Sequence, residues 1–157
     1  KIGLDIQYHE ESLFRTNTKR PLQVHYGMDP NVLFIDLFPG ITEGTLRHMH
    51  NTPNVKGIVL RTYGAGNAPT ASWFTDAISD ALNRGIVIVN VTQCVNGAVD
   101  SSLYDTGNTL SRIDVISGHY ITSEAAITKL MHLFGMGLPA SSVKKYMEYS
   151  ICGETSI

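Results

Sequence analysis

Cysteine is scarce. Cys94 and Cys152 are the only two in 157 residues, far apart and outside any CxxC spacing, which excludes a disulfide framework and fits free thiols in a reducing compartment. Long apolar runs are missing as well, since no stretch approaches the roughly 20 residues that cross a bilayer. Neither sign of charge dominates: 12 Lys and Arg against 14 Asp and Glu leave a formal charge of -2. The basic residues are scattered rather than clustered, so there is no electrostatic footprint for a nucleic acid or an anionic membrane, and neither partner is expected. Internal repeats and low-complexity tracts are absent. Lys1 carries neither an initiator Met nor a signal-peptide pattern, so the expectation is a cytoplasmic chain cut from something longer.

What is present is the balance of one globular domain, 43% hydrophobic and 17% charged, with enough apolar mass for a core. Residues 1–30 are polar and broken by Lys19-Arg20-Pro21 and Asp29-Pro30, with only Ile2 to Ile6 alternating as a strand would. From Asn31 the pattern becomes regular. Val32 to Phe38 reads as a buried strand stopped by Pro39-Gly40, and Thr42 to Met49 as a helix capped by Thr42. Gly57 to Tyr63 is the next strand, Gly64 to Pro69 a turn, and Thr70 to Asn83 a helix with Trp73, Phe74, Ala77, Ile78, Ala81 and Leu82 on its apolar face. Ile86 to Val91 is a β-branched run of the kind buried on both faces of a sheet. Asp114 to Ser117 reads as a shorter strand. Thr122 or Ser123 caps a helix to about Phe134, and Pro139 or Ser141 opens a last helix with Val143, Tyr146 and Met147 on one side. Strands separated by helices favour parallel pairing. The fold class is therefore α/β, a Rossmann-like three-layer domain with a four-stranded parallel sheet flanked by helices, whose loops after Phe38, Tyr63 and Val91 share one edge.

That edge is where chemistry is expected. Arg61-Thr-Tyr-Gly-Ala-Gly-Asn-Ala-Pro69 is a strand emptying into a Gly-rich turn, and Asn90-Val-Thr-Gln-Cys94 ends the neighbouring strand. Arg61 offers a planar cation for a carboxylate, Thr92 a hydroxyl, Gln93 an amide and Cys94 a thiol, a set suited to an amino acid. The plainer reading is also open: Arg61 pairs with a structural carboxylate, Thr92 and Gln93 satisfy loop backbone, and Cys94 is a small buried hydrophobe. Gly64 and Gly66 serve a positive-φ turn in either case. The turn lacks the third glycine of a dinucleotide fingerprint and the Lys of a phosphate loop. His48 and His50 point about 200° apart on a helix and have no Cys, Asp or Glu to complete a metal set, so they read as a solvated helix end. His119 reads as a cap or surface residue, and Cys94 has no oriented base for thiol catalysis.

In order, Arg61 to Pro69, Arg84-Gly-Ile-Val-Ile-Val-Asn90, Thr92-Gln-Cys94, Tyr104-Asp-Thr-Gly-Asn-Thr-Leu110 and Thr122-Ser-Glu-Ala-Ala-Ile-Thr-Lys-Leu130 resemble the carboxyl-terminal domain of the L-asparaginases, in particular the cytosolic, type I group. The resemblance runs from about Phe38 to Glu154. It implies a homo-oligomeric amidohydrolase, dimer or tetramer, that converts L-asparagine to aspartate and ammonia with no cofactor and no metal. The family's Thr nucleophile lies in a Thr-Gly-Gly-Thr motif of the amino-terminal domain, and no such motif occurs between Lys1 and Ile157. The resemblance thus assigns this chain no catalytic residue. It makes residues 1–30 a linker from a missing catalytic domain and residues 31–157 the carboxyl-terminal domain. In type I members a second asparagine binds as an effector at residues matching Arg61, Asn67, Thr92 and Cys94, with Gln93 a weaker inclusion. The type II group usually lacks the Thr-Gln-Cys block, and a tRNA-dependent amidotransferase subunit of the same fold tends to carry Gly-x-Gly-His at the turn. Mammalian-type asparaginases with lysophospholipase annotation have very similar blocks. A freestanding amino-acid-binding or interaction domain without catalysis is the reading from another class.

Overall fold

The β-branched runs of the sequence become the strands of one parallel sheet in the computed structural model, which describes residues 15, 21–94, 98–99, 110 and 112–155. The strands are β1 (Val32–Asp36), β2 (Gly57–Thr62), β3 (Val87–Thr92) and β4 (Ile116–Ser117). Their spatial order follows the chain, and each neighbouring pair is parallel. Among the described residues the helices are α1 (Glu43–His50), α2 (Ser72–Asn83), α3 (Ser123–Gly135) and α4 (Ala140–Met147).

Strand alternation sorts the apolar side chains into two layers. Ile35, Ile58, Leu60 and Ile88 face Leu46 of α1 and Phe74, Ala77, Ile78 and Ala81 of α2. Val59, Val87, Val89, Val91 and Ile116 face Ala126, Leu130 and Leu133 of α3 and Val143 and Met147 of α4. The central strands are thus covered on both sides, as their nearly unbroken apolar sequence requires. Each such Val, Leu or Ile stabilises the fold by roughly 1.5–3 kcal/mol on burial. Thr42 and Thr122 cap α1 and α3, their hydroxyls accepting from Thr45 N and Ala125 N at 3.2 Å each.

Three differences from the sequence expectation stand out beside shifts of one or two residues at other element ends. β1 ends at Asp36, with Leu37 N making the last ladder bond to Arg61 O at 3.0 Å, and it is not buried throughout, since Phe34 is 40% exposed. The short strand starts at Ile116 rather than Asp114, whose φ of 72° makes it a turn residue. Tyr146 is 47% exposed and leaves the buried side of α4 to Val143 and Met147. The Ile2 to Ile6 stretch lies outside the described residues, as does most of the Tyr104 to Leu110 block. Residues 21–30 run without helix or strand across the end of α3. Asp29 N donates to Met131 O at 2.9 Å, and Asp29 pairs with Lys56 at 2.6 Å. The crossing is close: a Cβ on Gly27 would stand 2.6 Å from the Gly135 carbonyl oxygen.

Candidate functional site

Parallel register carries side chains from three strands to one edge. Asp36 stands beside Arg61, and Thr62 beside Thr92. Arg61 points to the α3 side of the sheet. Its Nε and Nη2 donate to the two Asp36 carboxylate oxygens at 3.1 and 2.8 Å, and its Cζ lies 5.6 Å from the Phe34 ring centroid. Asp36 thus occupies one edge of the guanidinium. The Nη1 end has no hydrogen-bond partner among the described residues, so a planar fork remains for an incoming carboxylate. Burial and the Asp36 charge both push the Tyr63 phenol above its usual range, which keeps it protonated beside that pair.

Gln93 fastens the strand ends together. Its backbone N donates to Thr62 O at 2.9 Å, and its side-chain nitrogen reaches Asp36 Oδ1 at 2.9 Å, Leu37 O at 2.5 Å and Arg61 O at 3.3 Å. Thr92 joins the two loops: its hydroxyl donates to Gly64 O and accepts from Cys94 N at 2.9 Å. Cys94 is exposed rather than a buried hydrophobe, and its thiol is free. Asn67 closes the turn through its backbone, accepting from Tyr63 N at 2.9 Å and donating to Tyr63 O at 2.7 Å. Gly64 and Gly66 both have positive φ, 48° and 110°. At Gly66 a Cβ would also come within 2.9 Å of Val99 Cγ1, so the residue is required twice over. Beneath the edge, Thr62 Oγ1 donates to Asn90 Oδ1 at 2.6 Å in the buried interior.

Arg61, Thr92, Gln93 and Cys94 form one wall of a cavity of about 210 Å³. The other wall is Tyr120, Ile121, Thr122, Ser123 and Glu124, at the start of α3. Asn67 is not on either wall. The volume lies under the roughly 300–1,000 Å³ that drug-sized ligands fill, which suits a small polar molecule better than a nucleotide. Two contributors were not legible as site residues in the sequence: Asp36, distant in the chain, and Glu124, whose first-turn position reads as ordinary helix chemistry. Register would have identified the first, had the pairing been known.

The histidines separate. His48 is exposed, but His50 is 2% exposed, which corrects the expectation of a solvated helix end. Arg84, from the end of α2, covers it, with Nη2 2.5 Å from His50 Nδ1 and 2.9 Å from His50 O.

A second, mainly apolar hollow of about 510 Å³ runs along Ala125, Thr128, Lys129 and His132 of α3, against Met28, Ile151, Cys152 and Glu154. On its wall Lys129 pairs with Glu154 at 2.6 Å, both side chains nearly out of solvent. Burial raises the Glu154 pKa, but the Lys129 bond and the amides of Cys152 and Ile151 outweigh it and bring the carboxyl down to about 2. No three His, Cys, Asp or Glu side chains converge on a metal-sized site among the described residues, and no described helix is long and apolar enough to cross a membrane.

Residues 31–147 match the family model described as the Glutaminase/Asparaginase C-terminal domain. L-asparaginase 1 of Escherichia coli K12 is 40% identical over 120 residues, which cover 76% of this chain and 35% of that protein. The human 60 kDa lysophospholipase is 36% identical over 98% of this chain and 26% of its own length. The crystal structure of L-asparaginase I from Vibrio cholerae superposes with a TM-score of 0.86 at 31% identity, over 99% of this chain and 46% of that one. The chain therefore spans about a third of the length of the curated relatives it matches.

Proposed function

The chain belongs to the Glutaminase/Asparaginase C-terminal domain family, and from that premise we propose that it is the carboxyl-terminal domain of a type I L-asparaginase and that its sheet edge binds L-asparagine as an effector. The whole enzyme hydrolyses L-asparagine to L-aspartate and ammonia. Residues 31–157 are the domain and residues 1–30 the linker that leads into it. This part of the enzyme is inactive alone, because the Thr-Gly-Gly-Thr that carries the family's nucleophile is not in its sequence. The family match that starts at residue 31 supports the boundary.

The observation that carries the effector reading is the free end of the Arg61 guanidinium. Asp36 holds the group in place from one side, and the remaining fork opens beside a cavity of amino-acid size. Arg61 grips the effector α-carboxylate through two charge-assisted bonds. Thr92 and the Cys94 region take up its other polar groups, Asn67 holds the turn, and Gln93 keeps the three strand ends in register. An asparagine bound here regulates only if the whole enzyme has two states that bind it differently. The protein acts in the cytoplasm as a homo-oligomer, dimer or tetramer. The free thiols of Cys94 and Cys152 support the reducing compartment.

The test is the Arg61→Ala variant. Its L-asparagine affinity, measured by calorimetry, falls at least tenfold, the loss expected for a charge-assisted carboxylate contact of roughly 1.5–3 kcal/mol. In the full-length enzyme the same substitution abolishes sigmoidal asparagine kinetics. Unchanged affinity and unchanged kinetics would refute the site.

A further inference from the structure

One side of the sheet is blunted and the other is open. β4 is only two residues long, too short to template another strand. β1 borders the opposite side with five residues, in unbroken register with β2 and with no Pro, Lys or bulge among them. Parallel pairing engages the backbone of alternate residues. Asn31 O accepts from Lys56 N at 2.8 Å and Leu37 N donates to Arg61 O at 3.0 Å, so the odd-numbered backbone groups face β2. The even-numbered groups, those of Val32, Phe34 and Asp36, point away from the sheet. Val32 N is taken by Pro30 O at 2.8 Å, whereas Val32 O, Phe34 N, Phe34 O and Asp36 N have no partner among the described residues. In the middle of this open row stands an exposed apolar side chain, Phe34.

We propose that β1 is a self-docking edge, which pairs antiparallel with β1 of a second copy across a two-fold axis at Phe34. The inference rests on the homo-oligomer reading above and names a surface for it. An axis at Ile35 or Asp36 would set the two Asp36 carboxylates diagonal or opposite to each other, and one at Val32 or Leu33 would run the strand into Pro30, which has no N–H to give. Phe34 remains. With the axis there, each Phe34 exchanges both backbone bonds with the partner's Phe34, and each Asp36 N donates to the partner's Val32 O. The four open backbone groups of one copy are matched by the four of the other, as an isologous contact requires. The two Phe34 rings meet on one face. Each Asp36 carboxylate is carried to the end of the other strand where Val32 neighbours Gly57, beside the half-exposed ammonium of Lys56. The two sheets continue as one of eight strands. Such a pairing is small beside the roughly 1,200–2,000 Å² of a standard interface, so the chain by itself dimerises weakly and in proportion to concentration.

Sedimentation and cross-linking of the chain test the pairing and its register. The native chain shows a concentration-dependent monomer–dimer equilibrium. Phe34→Lys sets two ammonium groups opposite each other at an already exposed position and raises the dimer dissociation constant roughly tenfold or more, with a thermal melt to establish that the variant is folded. In a chain carrying Cys94→Ser and Cys152→Ser, Phe34→Cys forms an intermolecular disulfide on mild oxidation, since the Cα atoms of such a pair stand about 5.5 Å apart. Phe38→Cys, similarly exposed but sent to opposite ends by the axis, does not. The cross-link decides the matter if Phe34→Lys melts early. A dimer that folded Phe34→Lys leaves intact, or that cross-links as readily through Phe38→Cys, overturns the proposal while the homo-oligomer reading stands. A chain that is monomeric at millimolar concentration also overturns it, and sedimentation of the full-length enzyme then decides the homo-oligomer reading separately. Protection of the Phe34 and Asp36 amides from hydrogen exchange in that monomer would assign the edge to the chain's own upstream residues instead.

Discussion

Arg61 is oriented by a neighbour that is far away in sequence. Asp36 takes its Nε and Nη2, and Gln93 in turn donates to Asp36, so three strand ends hold one guanidinium. The pair is substantially exposed and contributes at most about 1 kcal/mol to stability. Asp36→Asn is therefore expected to move the melting temperature little while lowering asparagine affinity severalfold, because Arg61 then has to be ordered by the ligand. Calorimetry and a thermal melt on the same preparation check both halves. His50 gives the second prediction at this scale. Arg84 can only donate, so His50 Nδ1 is the acceptor and the proton sits on Nε2, which has no partner among the described residues. Burial, then Arg84 and Arg47, push its pKa below 6.5, with Asp80 opposing. The unfolded chain thus binds the proton more readily than the folded one. Its contribution to stability is complete above 6.5 and declines as pH falls toward the lowered folded value. Melting temperatures across roughly pH 5 to 8 should show this decline in the native chain and a flatter profile in His50→Gln. Neither residue's environment was readable locally, since Asp36 reaches Arg61 by strand register and Arg84 reaches His50 from another helix.

Elements were more legible than contacts. The β-branched runs at Gly57 and Val87, the 3.6-residue spacing of Phe74, Ala77, Ile78 and Ala81, and the caps Thr42 and Thr122 are local signals, and each appears where its chemistry places it. The sequence pattern overextends β4, because a left-handed Asp114 looks like any Asp in one dimension. The sequence groups Tyr146 with Val143 and Met147 on one side of the last helix, because a phenol fits an apolar stripe equally well in or out. The last segment depends on a pair that periodicity does not reveal: Lys129 in mid-α3 reaches Glu154, and also Tyr149 O at 2.5 Å. This clip holds residues 149–154 against the helix. Glu154→Gln leaves a buried ammonium uncompensated, and the expected loss is about 3–5 kcal/mol, measured by denaturant unfolding. With the carboxyl depressed to about 2, the native chain keeps this contribution above 4.5 and loses it as pH falls toward 2. A Gln variant as stable as the native chain at neutral pH would show that the clip is dispensable.

At the scale of the whole molecule, one sheet between two helical layers leaves its carboxyl edge as the place where charged and polar side chains meet a cavity. That arrangement follows from parallel pairing, which sends every strand toward the same edge. The family was legible because its sequence blocks lie on those strand ends and turns. That α3 lines the same cavity was not, because nothing in a linear reading brings Glu124 opposite Arg61. The chain spans about a third of its curated relatives, and under the proposed function effector binding belongs to it and hydrolysis to the domain that carries the nucleophile. Its central claim is that this domain binds asparagine without turning it over. The most direct measurement titrates L-asparagine into the native chain by calorimetry and assays ammonia in the same sample. The account predicts saturable heat and no ammonia. Absence of heat at millimolar asparagine, or release of ammonia, would contradict it.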